Sequence, residues 1–265
     1  MARSGSEDTL ARGSFVRVLR AEALKSRHGA PVRLAIVLAL PFPLLAAFVA
    51  LSVPQFGLSY SPWNYWYALL MPVSITLIAA TVANADARLG NHTLLSSGVP
   101  LHLAWGAKVA WCLALLLLSN LVVFAVYAVM SLVVPQGAAS MSAMLAVALA
   151  LTVMGSWMIP ATHLLTMRVG MLAGVFVPLA VQLALSLGWS VVPFWPACPP
   201  AATIVLPTAF LPVLPSGEPA SPGMALVESI SQGPDVALAL IVAAVLTAAL
   251  TAAGAVWLDR SEELR

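Results

Sequence analysis

Between Arg33 and Asp86, and again between Lys108 and Arg168, the chain carries no Asp, Glu, Lys or Arg. Runs of this length constrain the fold more than any other feature. A charge held at mid-bilayer costs about 3 kcal/mol or more, so a chain that crosses a membrane twice in succession must keep such stretches free of charge. Composition agrees, with 61% of the 265 residues hydrophobic and 8% charged, where a soluble domain carries about a quarter charged residues. The expected fold class is therefore an all-α integral membrane protein, a single transmembrane domain over residues 1–265.

Read in order, residues 10–28 form a basic amphipathic segment: Phe15, Val18, Leu19 and Ala23 share one side of a helix, while Arg17, Arg20 and Arg27 crowd another. Such a helix is expected to lie in the membrane interface with its cations near anionic head groups. Glu22 and Lys25 are placed for an i,i+3 ion pair. Six spans follow at about 32–53, 65–83, 109–134, 141–167, 169–189 and 236–258, each long enough for a hydrocarbon core of roughly 30 Å. Pro41, Pro43 and Pro72 fall inside the first two; membrane helices tolerate proline where neighbours satisfy the freed carbonyls. Trp63, Tyr65, Trp66 and Tyr67 read as a head-group-level aromatic belt. Residues 190–235 are proline-rich, hold Glu218 and Glu228 but no Lys or Arg, and are expected to be partly re-entrant on the outer side. The N-terminus does not read as a cleaved signal peptide, because polar and basic residues precede a first apolar run too long for an h-region.

Six spans put all twelve Lys and Arg on one face: seven up to Arg33, then Arg88, Lys108, Arg168, Arg260 and Arg265. That bias implies a multi-pass protein of the plasma membrane with both termini and the loop between helices 2 and 3 cytoplasmic. Cys112 and Cys198 stand apart with no motif around them, so neither a metal site nor a disulfide framework is expected. No G-x-x-x-x-G-K-[ST], G-x-S-x-G or H-E-x-x-H motif occurs, which argues against a catalytic chain and against nucleotide binding through the first of these. No basic-aromatic stripe suggests nucleic acid. The spans lack a mid-depth Asp, Glu or Arg of the kind that ion-coupled carriers use. His163 reads as an interface residue, and Asn120 and Gln182 as interhelical hydrogen-bonding groups. Gly170 and Gly174 form a G-x-x-x-G, and Ala243, Ala244, Ala248, Ala249, Ala252 and Ala253 mark the last span, as small residues that let helices approach closely.

The most specific stretch is Asn84 to Lys108, where charges of both signs and histidines interrupt the apolar runs. Leu94-Leu95, then Ser96-Ser97-Gly98-Val99-Pro100, then a helix opening toward Trp105 and Lys108, reads as short helix, turn, helix. In this arrangement the segment resembles the cytoplasmic loop of type-2 ABC exporter permeases, through Asp86, Gly90-Asn91, Leu94-Leu95, Pro100 and Ala107-Lys108. Ala21 to Lys25 is similar to that family's entrance helix. Within the family the nearest likeness is to lantibiotic-immunity permeases, on length, six spans and the outer Val192-Pro193-Phe194-Trp195-Pro196. The sequence departs from the pattern at Asp86, where Glu is frequent, and at Leu101-His102, where a basic residue is usual.

The resemblance implies a non-catalytic translocation subunit, with ATP and Mg bound by a separate ATPase subunit present in two copies and no cofactor in this chain. It implies a second permease, the same or different, and a bacterial cell membrane. Asp86, Arg88, Gly90, Asn91, His92, Leu94, Leu95 and Pro100 would form the coupling loop that contacts the ATPase, with Leu94 and Leu95 as apolar anchors. Phe15, Arg17, Leu19, Arg20, Glu22 and Lys25 would belong to the interfacial helix. The implied cargo is a membrane-inserting antimicrobial peptide. A permease for another hydrophobic cargo, drug or lipid, or a membrane scaffold or enzyme, stands as the alternative.

Overall fold

The computed structural model describes the backbone of residues 4–27, 29–87, 100–221, 223–230 and 233–263, and side chains within these from 15 to 27, 29 to 85 and 100 to 260. Arg88, Gly90, Asn91, His92, Leu94 and Leu95 lie outside the described residues, as does the side chain of Asp86, whose backbone is in the last turn of a helix. Among the described residues the chain is helical, and the one β feature is an isolated antiparallel bridge between Val213 and Pro219.

Five stretches are long and apolar enough to cross a membrane: 30–52, 61–85, 101–133, 141–168 and 233–260. They comprise α2 (Ala30–Val37) with α3 (Pro41–Ser52), α4 (Ser61–Tyr65) with α5 (Met71–Ala87), α6 (Leu101–Val133), α7 (Met141–Gly155) with α8 (Met158–Arg168), and α12 (Gly233–Glu263). A sixth apolar helix, α9 (Met171–Leu187), is shorter at 17 residues. It packs along α5 and α8. Its first residue, Met171, accepts a hydrogen bond from Asn84 near the end of α5, and its last, Leu187, shares a cavity wall with Tyr65 and Leu69 at the start of that span. α9 therefore runs antiparallel to α4–α5 from one end of it to the other.

Proline sets the interruptions. α2 stops at Val37, and α3 opens on Pro41, a residue with no N–H to offer the preceding turn. The turn at Trp66–Leu70 widens to π geometry just before Pro72, which cannot donate to the Ala68 carbonyl. α7 ends at Gly155 and α8 begins at Met158, two residues ahead of Pro160. There the Ser156 hydroxyl contacts the Val153 carbonyl at 2.7 Å and Thr247 Oγ1 of α12 at 2.6 Å, supplying polar partners where the ladder is broken. All three interruptions lie near two adjacent residues of unbroken α6. Ser119 Oγ donates to the Ala35 carbonyl at 2.9 Å, Asn120 Oδ1 accepts from Trp66 Nε1 at 3.1 Å, and Asn120 Nδ2 donates to Thr152 Oγ1 at 3.1 Å.

The aromatic residues expected as a belt are core instead. Trp63, Trp66 and Tyr67 are fully buried, and only Tyr65 is exposed. Tyr60, Trp63 and Tyr127 stack on one another at 4.6–6.1 Å between centroids, because the span starts at Ser61 and turns these rings inward against α6. Burial pushes the Tyr60 phenol above its ordinary pKa; its oxygen accepts from the Ala139 backbone N–H at 2.7 Å, tying this end to the α6–α7 turn.

The proline-rich segment folds back into the bundle. All seven residues of α10 (Pro199–Val205) are buried, packed against α7, α9 and the 195–197 turn. The Gln182 amide and Ser186 hydroxyl of α9 both donate to the Pro200 carbonyl, at 3.4 and 2.9 Å. Asn64 Nδ2 reaches the Leu214 and Pro215 carbonyls at 3.3 and 3.4 Å, clipping the turn closed by Gly217 onto α4. α11 (Ala225–Ile230) leads to α12.

The N-terminal helix, α1 (Ser4–Ser26), is amphipathic as expected. Phe15, Val18, Leu19, Glu22, Ala23 and Ser26 do share a side, but that side is partly or fully buried and α1 lies along α6. Its apolar face is turned toward α6. Val16, Arg17, Arg20, Leu24, Lys25 and Arg27 face outward.

Candidate functional site

The polar segment returns to the bundle at Pro100, whose carbonyl accepts from the backbone N–H groups of Leu103 and Ala104 and so starts α6. Apolar side chains then alternate with two residues that sequence reasoning placed at the loop's exit, Trp105 and Lys108. Both are buried, at 2% and 4% exposure, because α6 begins eight residues before the expected span and its first turns are already inside the packing.

Each of these turns fastens a different element. Lys108 Nζ meets Glu22 Oε1 of α1 at 3.2 Å, with Lys25 Nζ at 3.9 Å on the same oxygen. Glu22 and Lys25 thus pair as expected, but the shorter bond joins two helices distant in sequence. Trp105 Nε1 donates to the Thr251 carbonyl of α12 at 2.9 Å, and its ring lies on Gly254, where an added Cβ would overlap it. The same ring meets His163 of α8 edge-on at 5.6 Å. His163 Nε2 lies 3.6 Å from Cys112 Sγ, about two turns beyond Trp105 on α6. His163 is 0% exposed, so it is a packing residue of the core and not an interface residue. At the end of α8 the Arg168 guanidinium sits 4.8 Å over the Trp257 ring of α12.

The G-x-x-x-G divides into two roles. Gly174 is a close-approach residue: a Cβ there would overlap Thr166 Oγ1 and stand 2.9 Å from the Thr162 carbonyl. Gly170 has nothing within 4 Å of an added Cβ; its φ of +119° turns α8 into α9. Of the small residues singled out on the last span, Ala243 is buried while Ala244, Ala248, Ala249, Ala252 and Ala253 are exposed. Gly254, the residue that α12 uses for intimate contact, was not among them.

Charge is sorted along the bundle. The described cations Arg17, Arg20, Lys25, Arg27, Arg33, Lys108, Arg168 and Arg260 lie at the end that holds Asn84, Met171 and the start of α6. Glu218, Glu228 and Asp235 lie at the other end, with Asn64, Ser140 and α11. Among the described residues no cluster of three or more His, Cys, Asp or Glu could hold a metal ion.

The start of α6 is tied to three other helices. The helix that follows segment 88–99 is held by a buried ion pair, a tryptophan seated in a glycine notch and a thiol–imidazole contact to α1, α12 and α8 respectively. Pro100 is the member of the expected coupling loop whose side chain is described, and it is exposed. No family model, curated protein or solved structure matches the chain.

Proposed function

We propose that the chain is the membrane-spanning permease subunit of an ATP-binding-cassette exporter in a bacterial plasma membrane. In this reading α9 is a sixth crossing, both termini and segment 84–108 are cytoplasmic, and residues 86–100 seat on a separate ATPase subunit. Two copies of that ATPase and a second permease, the same or different, complete the assembly, and ATP and Mg reside on the ATPase. One observation carries the reading: the polar segment emerges at the end of the bundle that holds the described cations, and the helix after it is bolted to α1, α8 and α12. A separate motor pushing on such a base would reach half the bundle at once.

The cargo is a membrane-inserting, lantibiotic-type antimicrobial peptide expelled for self-protection. The acidic Glu218, Glu228 and Asp235 at the far end favour a cationic cargo leaving there. Co-purification tests the assembly: a nucleotide-binding subunit is expected with the solubilised protein, and its absence would favour a scaffold or enzyme. Leu95→Asp is expected to abolish stimulated ATP hydrolysis and export while leaving the protein folded. Resistance of expressing cells to peptide, but not to lipophilic drugs, separates the peptide reading from a permease for other hydrophobic cargo.

A further inference from the structure

At the acid-bearing end of the bundle, a groove of about 440 Å³ opens between the first turn of α7, the turn that follows α10, and α11. That volume falls in the range of ligand sites. Ser140, Ala143, Thr208, Phe210, Ser221 and Val227 are among its lining residues. Thr208 is 3% exposed, and its hydroxyl has no hydrogen-bond partner among the described residues. A buried hydroxyl is costly to leave unpaired, and in the wall of an open groove a ligand is what can pair it. Apolar residues continue past the lining, where Met141, Met224 and Leu226 are exposed. Two exposed acids stand among them, Glu228 next to Val227 and Glu218 two residues before Ala220, another lining residue. No cation of the same segments opposes these acids. The chain has no Lys or Arg between Lys108 and Arg168 or between Arg168 and Arg260, and every lining residue falls in those two runs.

We propose that this groove binds a cationic peptide, with an apolar side chain against Phe210 and Val227, an N–H donor on Thr208, and further cations against Glu218 and Glu228. Charge complementarity selects a cation. The apolar walls and rim select an amphiphile over an inorganic ion. A lipid's quaternary ammonium is held by a cage of aromatic rings, and Phe210 is the one ring in this lining. Hydroxyl oxygens accept from N–H groups, which a peptide supplies along its backbone and at its lysines. The inference deepens the exporter reading by naming where a cationic peptide is held, and it rests on that reading only in taking the peptide as cargo.

The test uses the purified full chain in phosphatidylcholine nanodiscs and the peptide Lys-Phe-Lys-Leu-Lys amide, with calorimetric titration corrected by empty nanodiscs. The peptide is expected to bind, and a twin with Glu in place of each Lys to bind weaker by about tenfold or more. Ala143→Phe, which fills the groove, should weaken binding by about tenfold or more, whereas Ala244→Phe, on the exposed side of α12, should change it by less than about twofold. Thr208→Val keeps the shape and removes the hydroxyl. It should weaken binding about fivefold while the thermal transition holds or rises, since an unpaired buried group has gone, and it gives a second reading if Ala143→Phe does not fold. Equal binding of the acidic twin, binding unchanged in either folded groove variant, or loss of peptide binding when phosphatidylethanolamine is added to the nanodiscs would overturn the proposal. No ATPase or transport step enters the measurement. Peptide binding without a co-purifying nucleotide-binding subunit would keep the groove and count against the exporter reading, and the converse would do the opposite.

Discussion

A lysine with 5% of its side chain exposed survives inside a protein only with its charge answered, and Glu22 answers that of Lys108 at 3.2 Å. Lys108→Met should therefore cost about 2–3 kcal/mol by leaving the Glu22 carboxylate with the longer Lys25 contact at 3.9 Å, and Glu22→Gln/Lys108→Met should recover most of it; chemical unfolding in detergent micelles followed by tryptophan fluorescence would measure both. Lys108 was legible in the sequence as a cation ending a polar loop, but not as a buried one, since nothing local announces a partner 86 residues away. Glycines show the same limit. The spacing of Gly170 and Gly174 pointed to close packing, yet Gly170 has open space around it, and Gly254, with no glycine near it on α12, receives the Trp105 ring. Gly254→Ala and Gly174→Ala should each destabilise the protein by about 1–3 kcal/mol through overpacking, whereas Ala252→Gly, at an exposed position on the same helix as Gly254, should cost about 1 kcal/mol or less; a thermal-shift series on the three variants would rank them.

At the scale of the element, apolar runs and proline positions carried most of the information. Every expected span has a helical counterpart, because hydrophobicity over about twenty residues is a local property. The ends moved where side chains and not hydropathy decide them: α6 starts at Leu101 because Pro100 opens it, and Trp105 to Lys108 are held by other helices. The side of α1 that would be apolar was also readable from its spacing, but what it would face was not, since lipid and a neighbouring helix offer the same environment to Phe15 and Leu19. Asn120 joins three elements through Trp66 and Thr152. Asn120→Leu should cost about 1–2 kcal/mol, and the fluorescence of Trp66 should respond, which a variant holding no other tryptophan would report.

At the scale of the whole molecule, the sorting of charge makes the strongest statement about sidedness, and it was legible from the sequence once the spans were counted. On the orientation proposed here, Ser216→Cys in a Cys112→Ala/Cys198→Ala background should react with a membrane-impermeant maleimide added to intact cells. Arg168→Cys in the same background should react only after the membrane is opened. The reverse pattern would invert the protein. The candidate coupling loop was legible as a polar interruption with a turn in it, and its residues from Arg88 to Leu95 stand outside the described ones, so its role rests on the helix it feeds. That helix, α6, is unbroken, as α12 is, where α2–α3, α4–α5 and α7–α8 are each interrupted, and it is α6 that the interruptions meet, around Ser119 and Asn120. In the exporter reading proposed above, a bundle so jointed gains an axle and a level at which to bend. Torque delivered to the basal half can tilt that half about the axle while the half beyond the joint keeps its own packing, so the two mouths of the molecule need not open together.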